Sequence, residues 1–546
     1  MSDPTVKIKQ RVLILYPTAT FFGGLLRIAR ALQESGQFDV IIYSHVRYPG
    51  WDDFAKQAEA VGVRMLTFMA EDKSIAPDLD QVIDALGFDP CQVADAPLPK
   101  ARLSLRQRLQ AGLLFGLWKR LLSKAEFKTL QDQYRRFERV HKAHIARAST
   151  IIRRLDIDLL VLATESVSHH SAYFLAAMNA DRRRSVYMPL ALPTHNELDG
   201  WMRNNTRGYG RLKTRADRLF AKVYPRWVRT IDGLPYIRVP APHALALEMN
   251  DLAPRNPWTS SSMKSTVITA SGTFLAERLQ ELGARYRKST IYVTGAAEDG
   301  EADMASTSPE QERARLVEDL GLDPAKPILM FSAPSNVSNQ YPLNGFESFE
   351  ELITYWCKSL DRLKTVSCIV SPHPWYRENP DARAVLEATG AKIVWRRAFD
   401  LMPAVDLFCT FGASSTPRLA AAAGLPVLNY FAFERTFDAE DDRSYFVGFD
   451  TMPVAMSRAE WEALLDKVDD TDWRNDLCAR ALEKATYFGL ESGVFGLRFP
   501  QVAAVLASGR GPLSGDETKA LKALCPPDHY TTKERAWLDR AKTGEV

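Results

Sequence analysis

The chain has 546 residues, 46% of them hydrophobic and 25% charged, with a formal net charge of only +3. That length and balance suit two globular domains with insertions, and exclude both a disordered chain and one held to nucleic acid by its global charge. Six cysteines (Cys91, Cys357, Cys368, Cys409, Cys478 and Cys525) show no paired or metal-type spacing, which excludes a disulfide framework or zinc site and suits a reducing compartment.

The polar start MSDPTVKIKQ does not read as a signal peptide. No apolar run nears the ~20 residues that cross a bilayer. The expectation is a cytoplasmic protein. Arg11–Tyr16 (RVLILY) reads as a buried strand, followed by a turn carrying Gly23-Gly24 and a helix over Leu25–Leu32. A Gly-Gly turn lets the backbone approach a ligand. Val40–Tyr43 and Val63–Phe68 continue a βαβαβ rhythm. From about Ala96 to Arg154 the apolar spacing turns helical and the charge turns basic, an insertion in the first domain. The sheet resumes at Asp158–Ala163, ending in Thr164-Glu165-Ser166, with His169-His170 on the helix that follows. Ser185–Leu190 leads into a loop carrying His195 and Glu197, and Arg203–Arg229 reads as a second basic helical stretch. A strand at Thr266–Thr269, a helix over Phe274–Leu282 and a strand at Thr290–Gly295 read as the closing βαβ unit.

The small, acidic run Ala296–Ser308 reads as interdomain chain. The expected division is a first domain over 1–300, a linker over 301–325, a second α/β domain over 326–500 and a helical tail over 501–546. In the second domain Pro327–Phe331 is followed by Ser332-Ala-Pro-Ser335-Asn336, and Val366–Val370 by Ser371-Pro-His373-Pro374-Trp375. Further strands are expected at Lys392–Trp395, Val405–Phe408 and Pro426–Leu428. The segment Thr410-Phe-Gly412-Ala-Ser414-Ser415-Thr416-Pro precedes a helix over Arg418–Ala423. In a doubly wound sheet, ligands bind outside the carboxyl ends of the strands, where these loops lie. Gly412, Ser414, Ser415 and Thr416 offer backbone N–H groups and hydroxyls to an anion. His373 can hydrogen-bond the same group, and Ser335 and Arg418 are within reach of it. The bland alternatives are a structural His-Pro turn, ordinary helix capping by the serines and a solvated Arg418.

The layout resembles the GT-B superfamily of nucleotide-sugar enzymes: two doubly wound Rossmann-like domains facing across a cleft. The stretch Ser265–Ser271…Gly283…Ile291–Gly295 is similar to the closing unit of the first domain in epimerase-like GT-B proteins, and Asp406…Gly412-Ala-Ser-Ser…Ala423–Val427 to their donor-site strand, loop and helix. His373-Pro374 and Ser414-Ser415 look like the "HP" and "SS" motifs of bacterial sialyltransferases and Kdo transferases. In those families, HP contacts the cytidine nucleotide and SS its phosphate. The resemblance implies a transferase using a CMP-linked, or less closely a UDP-linked, donor. An acidic-acidic-Gly motif belongs to the sialyltransferase pattern; here the string Glu298-Asp299-Gly300 falls in the interdomain chain.

Glycosyl transfer needs a base for the acceptor hydroxyl and charge stabilisation at the departing phosphate. Glu165, His195 and Glu197 are the candidates for the base, each with a loop or capping role as alternative. No Asp-x-Asp pair sits at a strand end, so neither a metal nor any cofactor beyond the nucleotide-sugar substrate is expected. The implied partners are the donor and a glycan, glycolipid or protein acceptor, with no nucleic acid. The basic helices, with Leu113, Leu114, Phe115, Leu117, Trp118, Leu121 and Leu122 beside Lys119 and Arg120, fit either peripheral contact with an anionic membrane or packing on the domain. The rival readings are a UDP-sugar 2-epimerase or hydrolase of the same fold, and a catalytically silent binding module.

Overall fold

The computed structural model describes residues 9–16, 22–44, 50–67, 103–164, 170–190, 210–231, 233–254, 256–258, 264–281, 291–297, 308–336, 343, 345–411, 416–430, 449–490, 493–526, 531 and 534–536. The strongly apolar runs of the sequence became buried parallel strands, as expected where helices cover both faces of a sheet. The first domain opens with β1 (Gln10–Tyr16), α1 (Phe22–Glu34), β2 (Phe38–Ser44), α2 (Trp51–Ala60) and β3 (Arg64–Thr67). Then come the helices of the insertion, α3 (Leu105–Leu121) and α4 (Lys124–Arg154). Their starts are fixed by capping boxes, Ser104 with Gln107 and Ser123 with Glu126. The sheet resumes with β4 (Leu159–Leu162), α5 (Ser171–Ala180) and β5 (Arg184–Tyr187).

The second basic stretch is less helical than its composition suggests. Among the described residues α6 (Arg215–Val223) and a 3-10 turn at Pro225–Trp227 form there, and Val228 already opens β6 (Val228–Ile231), which pairs antiparallel with β7 (Leu234–Ile237). The β-branched Val228, Thr230 and Ile231 favour the strand; residues 203–209 lie outside the described residues. After α7 (Ala241–Met249), the unit β8 (Val267–Ala270), α8 (Thr273–Glu281) and β9 (Ile291–Val293) closes a seven-stranded sheet of order β3-β2-β1-β4-β5-β8-β9.

The second domain begins earlier than expected. Within the anticipated linker 301–325, α9 (Pro309–Leu320) is a capped helix whose Leu316 is buried with Leu322 against the second sheet. The domain continues with β10 (Ile328–Ala333), α10 (Phe349–Asp361), β11 (Ser367–Pro372), α11 (Pro380–Ala388), β12 (Leu407–Phe411), α12 (Thr416–Ala422), β13 (Val427–Tyr430) and β14 (Val454–Ala455). Its sheet order is β11-β10-β12-β13-β14. The strand expected at Lys392–Trp395 is only a bridge between Val370 and Ile393. Helices α13 (Arg458–Asp469) and α14 (Thr471–Phe488) cover this sheet.

The chain then returns, which corrects the boundary expected at 500. Helix α15 (Val494–Ala507) buries Phe495, Phe499, Val502, Ala503 and Leu506 in the core of the first sheet, with Val12, Ile14 and Val161. Helix α16 (Gly515–Leu524) follows it there through Leu521. Two buried arginines fasten the return. Arg184 reaches Glu517 at 2.8 Å and the carbonyls of Val505, Gly511 and Pro512. Arg498 is fully buried and pairs with Glu534 at 2.7 Å and with the carbonyls of Val293 and Pro526. The architecture is α/β: two doubly wound, Rossmann-like domains, the first with a helical insertion and with the C-terminal chain packed back upon it.

Candidate functional site

Parallel strands end together, so sheet order decides which loops share an edge. In the second sheet the chain runs from β10 to β11 on one side and then to β12 on the other, and the crevice for a ligand opens where the order reverses, between β10 and β12. Ser335 follows β10, His373 follows β11, and Thr416 opens the helix after β12, so three of the expected donor residues lie along one edge. Gly412, Ser414 and Ser415, between β12 and Thr416, lie outside the described residues.

His373 is held in a defined state. Its backbone N–H donates to the Ala333 carbonyl at 2.9 Å, tying it to the end of β10. The backbone N–H of Trp375 donates to its Nδ1 at 3.1 Å. An imidazole accepting at Nδ1 carries its proton on Nε2. Partial burial holds the imidazole pKa below its ordinary value, with Glu378 opposing. The side chain is exposed, so a neutral ring presents an Nε2–H donor at the strand edge. Pro374, also exposed, starts the short turn that brings Trp375 N–H to Nδ1.

Arg418 is not the solvated arginine that was one of the two sequence expectations. It is 4% exposed and so not solvated, and its guanidinium donates to Ser271 Oγ at 2.9 Å and towards the Phe488 carbonyl at 3.5 Å. Ser271 lies just past the C-terminal end of β8, and Arg418 lies in the first turn of α12, the helix that follows β12, so this bond joins the two domains near the ligand-binding edges of their sheets. The crossing chain packs beside it. Leu490 N–H donates to the Ser271 carbonyl at 3.1 Å, and a Cβ on Gly272 would lie 2.8 Å from backbone atoms of Tyr487, Phe488 and Gly489. Gly295, with φ of 84°, likewise leaves room for Phe495. Sequence reasoning gave Gly295 to a motif and passed over Gly272; both admit close approach of the returning chain.

In the first sheet the order reverses between β1 and β4. Gly23 and Gly24 do not form the expected turn; they sit in the first turn of α1, which starts at Phe22 because that ring stacks on Phe54 at 4.0 Å and packs against Tyr16. Glu165, His195 and Glu197 lie outside the described residues. Beside β4, however, is a group that the sequence did not reveal. His141 and His144 on α4, His170 before α5, Tyr173 on α5 and His243 on α7 stack into a ladder, with ring centroids 4.6 Å apart for His144–Tyr173, 5.2 Å for His141–His243 and 5.6 Å for His144–His170. Tyr173 Oη lies 3.1 Å from His141 Nδ1. Burial lowers the pKa of His144 and of His243 to about 4 and that of His141 well below its ordinary value, so these three imidazoles are neutral at pH 7. Of these rings only His170 was singled out in the sequence, as half of His169-His170; His141, His144 and His243 join it through packing.

Two further features bear on chemistry. Asn429, at the end of β13 beside Thr410, is wholly buried with neither amide atom hydrogen-bonded. Among the described residues, no group of three or more His, Cys, Asp or Glu side chains is arranged to hold a metal ion, and the five described cysteines are free.

No protein-family model and no curated protein sequence matches the chain. Solved structures similar to it include a Listeria monocytogenes protein assigned as a UDP-N-acetylglucosamine 2-epimerase, at 11% identity and a TM-score of 0.48, covering 93% of this chain and 100% of the other. The UDP-N-acetylglucosamine 2-epimerase of Neisseria meningitidis bound to UDP-N-acetylglucosamine is 8% identical, covering 90% and 100%, with a TM-score of 0.47. A glycosyltransferase of Rickettsia africae is 12% identical, covering 92% and 100%, with a TM-score of 0.46. Likenesses at these values carry no activity or substrate across; the fold rests on the two strand orders themselves.

Proposed function

We propose that the chain is a glycosyltransferase that moves a CMP-activated acidic sugar, of the sialic-acid-like nonulosonate or Kdo kind, onto a surface-glycan, glycolipid or protein acceptor. The observation that carries the reading is His373: a neutral imidazole with Nδ1 occupied and Nε2–H presented at the edge of a doubly wound sheet, beside its switch point. A donor placed there suits the phosphate of a departing nucleotide. Ser335 and Thr416 lie along the same edge, and Gly412, Ser414 and Ser415 precede Thr416 in the sequence. The acceptor base is sought among Glu165, His195 and Glu197, at or near the ends of first-domain strands. The reaction needs no metal in this reading, and the protein works on the cytoplasmic face of an anionic membrane.

Calorimetric titration with CMP, CDP, UMP and UDP tests the donor. Selective CMP binding, followed by turnover of a CMP-sugar, is the expected result. Selective UDP binding replaces the reading with a UDP-sugar transferase or epimerase, and no binding at all leaves a silent module.

A further inference from the structure

Helix α3 is apolar on two opposite sides, and among the described residues only one is covered. Ala111, Leu114 and Trp118 are buried against Leu219, Phe220 and Leu245, and Trp118 Nε1–H donates to the Ala216 carbonyl at 3.2 Å. The opposite side carries Leu105, Leu109 and Leu113, which are 73%, 64% and 57% exposed and are the most bared leucines of the first domain among the described residues. This corrects the sequence expectation, which grouped Leu113 with Leu114 and Trp118 on one face.

At about 100° per residue the three leucines form one line along the helix, with Gly112 and Gly116 beside them. Exposed cations border the line on both sides: Arg106 and Arg120 on one flank, Arg108 and Lys119 on the other. The helix holds no acidic residue. A helix apolar all round belongs in a core or against another apolar phase. Here the second apolar strip stays in water.

We infer that this face of α3 docks the protein on an anionic lipid surface, with the leucines in the acyl boundary and the four cations among the headgroups. The placement proposed above, at a membrane, is the reading this surface rests on. Two features favour a bilayer over a protein partner. Three leucines are far fewer than the roughly 20–30 residues a side that a specific protein interface uses. An apolar line fenced by cations on both flanks is the pattern of helices lying in the bilayer interface, where Lys and Arg stems lie along apolar surface and their heads meet lipid phosphate.

The test is co-sedimentation of the full chain with sucrose-loaded vesicles, either phosphatidylcholine alone or equal parts phosphatidylcholine and phosphatidylglycerol. The expected result is binding to the anionic vesicles, weakened by salt, and lowered by more than about tenfold in the triple variant Leu105→Ser/Leu109→Ser/Leu113→Ser. The three positions are exposed, so the variant keeps its thermal midpoint. Wild-type protein that stays in the supernatant overturns the inference, and so does a triple variant that sediments like wild type. Self-association lost in the triple variant, without vesicle binding, also overturns it and assigns the strip to a second copy of the chain. Nucleotide titration of the same samples separates the two readings: intact CMP binding with no vesicle binding removes only the docking surface.

Discussion

Replacing His373 by alanine removes one donor from the proposed nucleotide site while sparing the fold. Three hydrogen bonds surround this residue, and two survive: the main-chain bond to Ala333 and the one from Tyr376 N–H to the His373 carbonyl. The third, from Trp375 N–H to Nδ1, is at an exposed position where water replaces the acceptor. The stability change should therefore stay within about 0.5 kcal/mol. A hydrogen bond to a charged group is worth about 1.5–3 kcal/mol, so loss of Nε2–H should weaken CMP binding by roughly 10- to 150-fold. His373→Gln, whose amide can still present a donor near the Nε2 position, should recover part of that loss. Calorimetry measures both variants against wild type, with urea denaturation as the stability control. A His373→Ala protein that binds CMP with wild-type affinity refutes the assignment of this edge as the nucleotide site. One that loses binding together with several kcal/mol of stability refutes the claim that the ring acts on ligand rather than on fold.

Three other outcomes follow from packing. Glu534→Ala strands the fully buried Arg498 guanidinium without its carboxylate and should cost about 3–5 kcal/mol, whereas the double change Arg498→Leu/Glu534→Leu should recover most of it; equal urea midpoints for wild type and Glu534→Ala would contradict this. Gly272→Ala drives a methyl into the backbone of Tyr487–Gly489 and should destabilise by about 1–3 kcal/mol, read as a lower denaturation midpoint. The histidine ladder should make stability depend on pH. His144 and His243 have folded pKa values of about 4, below the ordinary 6.5, so as pH falls the unfolded chain takes up protons first. Stability from these groups is complete above pH 6.5 and is lost towards pH 4, at up to about 1.4 kcal/mol per pH unit for each imidazole kept neutral. Arg238 faces His243 and adds to that loss. His144→Phe, which keeps the ring contact with Tyr173, should flatten the urea-midpoint profile in that window; an unchanged slope would show that the ladder is not what titrates.

The strands were legible because a parallel strand buried on both faces leaves a continuous apolar run, as in RVLILY at Arg11–Tyr16 and ILMF at Ile328–Phe331. The edge bearing Ser335, His373 and Thr416 followed from those runs, since whatever succeeds a parallel strand lies at the ligand-binding edge. What the sequence hid depends on distant partners. Val494–Ala507 is an apolar helix that would suit either sheet, and nothing in its own pattern says that it covers the first. That Arg418 is buried rather than solvated was not legible, because its partner, Ser271, belongs to the other domain. Gly295 read as a motif glycine and Gly272 carried no reading, but the backbone both admit comes from far along the chain. Leu113 and Leu114 are neighbours in sequence, and only the packing of α3 shows that they serve opposite sides.

The buried arginines of the returning chain have a consequence for the site itself. Ion pairs removed from water recover their desolvation cost only with good geometry, so their presence is weak evidence of added stability. An apolar helix such as α15 can dock on a sheet in more than one register, because apolar contact is not directional. Arg498, bonded to Glu534 and to the carbonyls of Val293 and Pro526, satisfies its donors in one register only. Arg184 does the same for the segment after α15, through Glu517 and three carbonyls. Fixing α15 fixes Phe495 against Gly295 and, just upstream, Leu490 on the Ser271 carbonyl. Ser271 in turn holds Arg418 at the start of the helix that follows β12. Arg184 and Arg498 thereby help set where Arg418, and with it the start of α12, meets Ser271 of the first domain, so that the helix after β12 is positioned from outside the domain that contains it.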